Sequence, residues 1–103
     1  MLSTVPVIEI EAGSASDSRA EEIYRNLLVL YGTVAGEQAL DRDFGIDASI
    51  SDYPSESAET LLAAEYVRKT ERYEPRARVS YVDYQSNMTP EGFIRPKVVI
   101  EIV

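Results

Sequence analysis

Apolar and polar residues alternate with a period of two near both ends of the chain, a pattern that predicts β-strands. In the first such segment, Val7-Ile8-Glu9-Ile10-Glu11, apolar and acidic residues alternate as they do in a half-buried strand. The later segments are 78–85 and 93–103, separated by a predicted loop at 86–92. We therefore expect one early strand and a late pair of strands.

The apolar residues between these strands repeat every three or four positions, a spacing typical of helices that pack on one side. A first helix is predicted to begin near Ser18, because Ser18-Arg19-Ala20-Glu21 has the Ser-x-x-Glu spacing of a capping box. Its apolar stripe consists of Ile23, Leu27, Leu30, Tyr31 and Val34. A second helix is predicted at about 55–72, between Pro54 and Pro75.

The resulting order, β-α-α-β-β, predicts an α+β fold in which two helices pack on a small, three-stranded, mostly antiparallel sheet. We expect a single domain, 1–103, because one hydrophobic core usually holds about 100–150 residues. The segment 36–53 is expected to be irregular, with its core anchors at Leu40, Phe44, Ile46 and Ile50. The last strand is predicted at 97–103, and its run 98–103 is apolar on both faces apart from Glu101. We expect it at an edge of the sheet, with its second face covered by a partner or by the monomer's own core.

The composition excludes several kinds of chemistry. The chain has no cysteine and no histidine, so every catalytic arrangement built on those residues within the chain is excluded. We expect no cofactor, no small-molecule substrate and no metal site, since a zinc site here would need carboxylates alone. The net charge of −8 disfavours nucleic acid as a partner. No apolar run approaches the ~20 residues of a membrane span, and no targeting segment is visible, which predicts a protein made in the cytoplasm.

The charges are unevenly distributed along the chain. Residues 1–67 carry thirteen acids and three bases, whereas residues 68–103 carry five acids and seven bases. Part of this asymmetry is helix-end chemistry, because acids lie in the first turns of the second helix and bases in its last. The bases gathered near the end of that helix are Arg68, Lys69, Arg72, Arg76 and Arg78. They indicate either a protein contact or ordinary solvated charges.

Three acidic patterns resemble functional motifs, but each lacks a required feature. Asp43-Phe44-Gly45 matches the metal-binding triplet of kinases, yet the chain is too short for a kinase and has no glycine-rich loop. A calcium loop counted from Asp41 would need glycine at its sixth position, where Ile46 stands. A glycosidase needs two carboxylates across a cleft, and no acid here lies in an apolar stretch that suits a general acid. We therefore predict no catalytic residue.

Tyr73-Glu74-Pro75-Arg76 is the most informative short motif. It combines a helix terminus, a proline stop and a guanidinium at the start of a predicted strand. Glu74 and Arg76 either pair with each other or bind groups of a partner through the two-pronged guanidinium. The motif is then either an ordinary corner between helix and strand or a protein-binding site.

Two motifs lie on either side of the second helix along the sequence. Gly36-Glu37 and Asp41-Arg42-Asp43-Phe44-Gly45-Ile46 precede it, and Glu74-Pro75-Arg76 follows it, ahead of the predicted hairpin. This order resembles the small "lysozyme-like" baseplate wedge proteins of contractile phage tails, a family that includes the matching subunit of type VI secretion and related injection machines. The resemblance covers roughly residues 23–103. The chain departs from the family pattern at Gln38, Arg42 and Tyr73, which is typical of a divergent, prophage-type branch.

The resemblance implies a structural role without catalysis. Members of this family sit in the baseplate, where they join wedge scaffold proteins to the first ring of the tail sheath. The implied location is the bacterial host cytoplasm during virion assembly and then the tail baseplate. Glu74, Pro75 and Arg76, with Tyr73 before them, are the implied contact with the helical bundle of the scaffold. Two alternatives stay open, a regulatory anti-adaptor-type module of the same fold and a glycoside hydrolase.

Overall fold

A computed structural model describes residues 6–11, 18–84 and 95–103 of the chain. The elements are β1 (Val7–Ile10), α1 (Ser18–Gly32), a 3-10 helix (Ala48–Asp52), α2 (Ser55–Tyr73), β2 (Ala77–Asp83) and β3 (Lys97–Ile102). This confirms the α+β class and the β-α-α-β-β order. The capping side chain predicted at Ser18 and the predicted loop at 86–92 lie outside the described part.

The three strands form a mixed sheet in the order β1-β3-β2. β1 runs parallel to β3, with Ile8 opposite Val98, whereas β2 runs antiparallel to β3. The expectation that β3 lies at an edge is therefore wrong, since β1 and β2 are the edge strands. Parallel pairing needs a long crossover connection, which the helices between β1 and β3 provide. A period of two within one segment carries no information about such a distant pairing.

β3 has buried apolar side chains on both faces within the monomer. Val98 and Ile100 are buried in the main hydrophobic core, and Val99 is equally buried but lies outside that cluster. A strand between two neighbours has both edges paired, and the burial of Val99 shows that the face opposite the main core is covered at this position as well. The monomer itself therefore covers this strand.

A β-bulge in β2 changes which side chains face the core. Val79 pairs with Ile100 and Tyr81 pairs with Val99, which leaves Ser80 without an opposite residue. One extra residue reverses the alternation beyond it. Val79 and Val82 therefore both pack against the core, while Tyr81 is exposed.

The helices cover the sheet with most of the stripe predicted for α1, but Val34 lies beyond the end of this helix and is 38% exposed. Ile23, Leu27 and Leu30 of α1 are buried, and Tyr31 meets Tyr66 of α2 edge to face, with 4.9 Å between the ring centres. Within the segment 36–53, Ile46 and Ile50 are buried and Phe44 is partly buried, as expected, but Leu40 is fully exposed. In the part of the chain described here, neither helix is both long and apolar enough to cross a bilayer.

Candidate protein-binding site

The Tyr73–Arg76 motif forms a tight corner between α2 and β2. The Glu74 N–H donates to the carbonyl of Thr70 at 2.8 Å and caps the helix, and Pro75 prevents its continuation. The Ala77 N–H then donates to the carbonyl of Glu74 at 3.0 Å, and β2 begins. The direction in which β2 leaves the helix is therefore fixed by backbone hydrogen bonds of the motif itself.

Glu74 and Arg76 pair with each other across this corner. Arg76 donates from Nε to Oε1 of Glu74 at 2.8 Å and from Nη2 to Oε2 at 3.1 Å, and Nδ2 of Asn26 also donates to Oε2, at 2.9 Å. Glu74 is buried, and these charge-assisted hydrogen bonds, the one from Arg76 first, hold its pKa below the usual range. Glu22 adds an ion pair with Arg76, 3.6 Å from its Nη2. Of the two sequence alternatives, the structure shows the internal pairing.

Tyr73 joins the corner to the segment that carries the other motif. Its hydroxyl donates to the carboxylate of Asp41, 2.9 Å from each oxygen. Its ring meets Phe44 edge to face, with 5.0 Å between the ring centres. Desolvation, followed by this hydrogen bond, raises the pKa of the Tyr73 phenol. The two motifs, separate in sequence, therefore form one continuous part of the surface.

Asp43 fastens the same segment to α2. Lys69, which is 1% exposed, donates from Nζ to the carbonyl oxygen of Asp43 and, at 3.2 Å, to its carboxylate. Arg68 and Arg72 reach the other carboxylate oxygen. The pKa of Asp43 is lowered, chiefly by the hydrogen bond from Lys69. The kinase-like triplet thus begins with a residue that anchors the segment 41–46 to the helix.

Gly45 completes the attachment of this segment to the end of α1. Its φ is +109°, a conformation that side-chain-bearing residues rarely adopt, and a Cβ there would overlap the backbone of Thr33. This close approach allows the Ile46 N–H to donate to the carbonyl of Thr33 at 2.8 Å, and the Ala35 N–H to donate to the carbonyl of Ile46 at 2.9 Å. Glycine is therefore required by the approach of two backbones.

The five bases predicted to mark this corner are all paired within the chain. Their acidic partners are Asp43 and Glu65 for Arg68, Asp43 for Lys69 and Arg72, Glu74 for Arg76, and Glu101 for Arg78. Each of these five bases is therefore at least partly compensated by an acid of the same chain. These ion pairs stabilise the shape of the corner, and the expected protein contact of these bases stays a prediction.

A groove of about 200 Å³ opens between α1 and the corner. Its lining residues are Asn26, Val29, Leu30, Phe44, Tyr73 and Glu74. Val29 is 60% exposed at this groove and lies outside the apolar stripe of α1, so sequence periodicity gave no reason to select it or Asn26. Pro75 lines a different groove, on the side of Val67 and Val79. The structure thus divides the predicted binding motif between two surfaces.

The acidic run 41–52 serves local structure. Asp41 accepts from Tyr73, and Asp47 caps the 3-10 helix by accepting from the N–H of Ser49 at 3.0 Å and from its hydroxyl at 2.7 Å. Over the described ranges, no three carboxylates are placed to hold a metal ion together. These contacts give Asp41, Asp43 and Asp47 structural roles as caps and tethers.

No protein-family model matches this chain, and no curated protein or solved structure is significantly similar to it.

Proposed function

We propose that this protein is a structural, non-enzymatic subunit of a phage-tail-like contractile baseplate, which links wedge scaffold proteins to the first sheath ring through protein–protein contacts. The observation that carries the proposal is the convergence of its two motifs. The hydroxyl of Tyr73 lies 2.9 Å from the carboxylate of Asp41, although these residues are 32 positions apart. This hydrogen bond brings Tyr73, which directly precedes the Glu74-Pro75-Arg76 motif, against the 41–46 motif, and that contact supports a shared binding role.

The groove beside this corner suits a helix of the scaffold bundle. Val29 offers exposed apolar area on one wall, and the rings of Phe44 and Tyr73 form the other. An amphipathic helix binds such grooves by inserting apolar side chains. The Glu74–Arg76 pair holds the wall in place, and Nη1 of Arg76, which has no hydrogen-bond partner among the described residues, is available to a carbonyl or carboxylate of the partner.

The carboxylates of the corner support a role without acid–base chemistry. The pKa values of both Glu74 and Asp43 are lowered by hydrogen bonds from bases. A glycosidase general acid needs the opposite, a carboxyl whose pKa is raised by an apolar environment. The purified protein should therefore leave purified peptidoglycan intact, and turnover of that substrate would contradict the proposal.

The direct test is co-expression with the proteins encoded beside its gene. We expect this protein to co-purify with a helical wedge scaffold protein and to bind the sheath subunit. Neighbouring genes for tail-fibre and sheath proteins would support the proposal. Co-purification with a transcription factor in place of tail proteins would contradict it in favour of an anti-adaptor role.

A further inference from the structure

A second apolar surface lies between the 3-10 helix and the first half of α2. Tyr53 and Leu61 are at its centre, 53% and 41% exposed, and they line two adjoining hollows of about 300 and about 570 Å³. None of the residues that line these hollows lines the groove at the Tyr73–Arg76 corner. We call the surface around these two side chains the Tyr53/Leu61 surface.

Backbone hydrogen bonds hold the Tyr53/Leu61 surface in a defined shape. The Tyr53 N–H donates to the carbonyl of Ile50 at 3.2 Å and closes the 3-10 helix, while the side chain of Ile50 is buried in the core. The Asp47 N–H donates to Oε2 of Glu65 at 2.9 Å, which ties the start of the 3-10 helix to α2. The two exposed apolar side chains are therefore presented on ordered elements, which lowers the entropic cost of binding.

The charge around the Tyr53/Leu61 surface is acidic and unpaired. Asp47 and Glu56 line the hollows, and Asp52 directly precedes Tyr53. All three are exposed, and none forms an ion pair with any residue in the described ranges. The base in the hollow, Arg68, is already engaged by Asp43 and Glu65. This surface thus combines exposed apolar area with uncompensated negative charge.

We propose that the Tyr53/Leu61 surface docks a basic amphipathic segment of a partner protein, with an apolar side chain between the two residues and Lys or Arg against the acidic rim. Complementary charge steers such a segment to the site, and a cation over the Tyr53 ring gains further attraction. Nucleic acid does not fit, because the rim repels phosphate. A second copy is disfavoured, because a two-fold contact would place the same acidic rim against itself.

The test uses the full chain and a synthetic amphipathic helical peptide of leucine and lysine. NMR titration should place the shifts at residues 47–61, and calorimetry should detect binding that weakens as salt is added. Tyr53→Ser with Leu61→Ser should weaken binding by about tenfold or more. The matched control is Tyr81→Ser with Leu28→Ser, because those side chains are similarly exposed, at 56% and 45%, and lie on other elements. The control should bind as the unmodified chain does.

The acidic rim has its own pair of variants. Asp52→Asn with Glu56→Gln should weaken peptide binding and reduce its salt dependence. The control, Glu37→Gln with Glu71→Gln, removes two charges that do not line the hollows and should change peptide binding far less. Val29→Glu, at the corner groove, should leave peptide binding unchanged, which separates this proposal from the baseplate role.

Four outcomes would overturn the docking proposal. The first is a loss of affinity in Tyr81→Ser with Leu28→Ser as large as that in Tyr53→Ser with Leu61→Ser. The second and third are binding as tight as that of the leucine–lysine peptide by a lysine peptide without leucine or by a leucine–glutamate peptide. The fourth is binding of the leucine–lysine peptide elsewhere on the chain. Self-association that Tyr53→Ser with Leu61→Ser abolishes would also contradict it, since the occupant would then be a second copy. Circular dichroism of each variant confirms that the fold is retained.

Discussion

The guanidinium of Arg76 forms two parallel hydrogen bonds with the carboxylate of Glu74, only two residues away, at 2.8 and 3.1 Å. Glu74 is 5% exposed, so this pairing compensates a carboxylate that the fold has largely removed from water. The pair therefore stabilises the corner from which the motif takes its shape. Under the proposed function, Arg76 would affect a partner mainly through the shape of the groove wall and through its remaining N–H groups.

Substitution of Arg76 should lower the free energy of unfolding as well as any binding. In Arg76→Ala the buried carboxylate of Glu74 loses both hydrogen bonds from the guanidinium and keeps the one from Asn26. Arg76→Lys should recover part of the stability, because an ammonium supplies charge without the two-pronged geometry. The urea midpoint should be highest for the unmodified chain, lower for Arg76→Lys and lowest for Arg76→Ala. An unchanged midpoint for Arg76→Ala would show that the pair does not stabilise the corner.

Acidification should destabilise the fold through Glu74 and Asp43. Their pKa values are lowered from the ordinary 4.5 and 3.8, by hydrogen bonds from Arg76 and Lys69 respectively. The unfolded chain therefore takes up protons first, so the stabilisation is complete above those ordinary values and is lost as the pH falls through the folded-state pKa values. Urea midpoints measured from neutral pH down to about pH 3 should fall, and less steeply for Glu74→Gln. An identical pH profile for this variant would contradict the role of Glu74.

Lys69 should contribute far more to stability than Arg72, although both pair with Asp43. Lys69 is buried, and Lys69→Met keeps the stem but leaves the carbonyl of Asp43 and the carboxylate of Glu65 without its ammonium. We expect a loss of about 2–4 kcal/mol in the free energy of unfolding, near the cost of breaking a buried pair. Arg72→Met, the control, removes an exposed partner and should cost at most about 1 kcal/mol. Equal costs would mean that burial of Lys69 does not decide its contribution.

Three glycines provide a graded test of the backbone near the ends of α1 and the segment 41–46. Gly45→Ala combines a positive φ with overlap against Thr33 and should cost about 3 kcal/mol or more. Gly36→Ala has a positive φ of +99° but open space, so we expect about 1–2 kcal/mol. Gly32→Ala, at the end of α1 with no neighbouring atom in the way, should be neutral or stabilise by up to about 1 kcal/mol. Thermal unfolding of the three variants gives the order, and a Gly45→Ala variant as stable as Gly36→Ala would contradict the described backbone approach.

Local signals in the sequence predicted the elements well. Pro54 and Pro75 flank α2 in the structure as they do in the prediction, because proline acts on the residues next to it. The order of strands in the sheet was not predictable in this way. β3 is central because β1 pairs with it from the far end of the chain, and the bulge at Ser80 belongs to the register of β2 against β3.

The site was predictable as a motif but not as a surface. Tyr73, Glu74 and Arg76 were selected from sequence, yet their partners Asp41 and Asn26 are contributed by other elements and follow no local period. Leu40 was expected to anchor its segment in the core, and the structure instead leaves it fully exposed, because charged and aromatic contacts of its neighbours hold the segment. Contacts between residues distant in sequence determine both the partners of the motif residues and the exposure of Leu40.

The central claim is that the groove beside the corner binds a helical scaffold protein, and Val29→Glu tests it most directly. Val29 lines the groove and is exposed, so this substitution should leave the fold intact while it places a charge where an apolar side chain should dock. Leu28→Glu is the matched control on the same helix, exposed but outside the groove lining. With the co-purified scaffold protein as ligand in calorimetry, we predict a loss of affinity of about tenfold or more for Val29→Glu and little change for Leu28→Glu. Unchanged affinity for Val29→Glu, with its fold verified, would contradict the proposal.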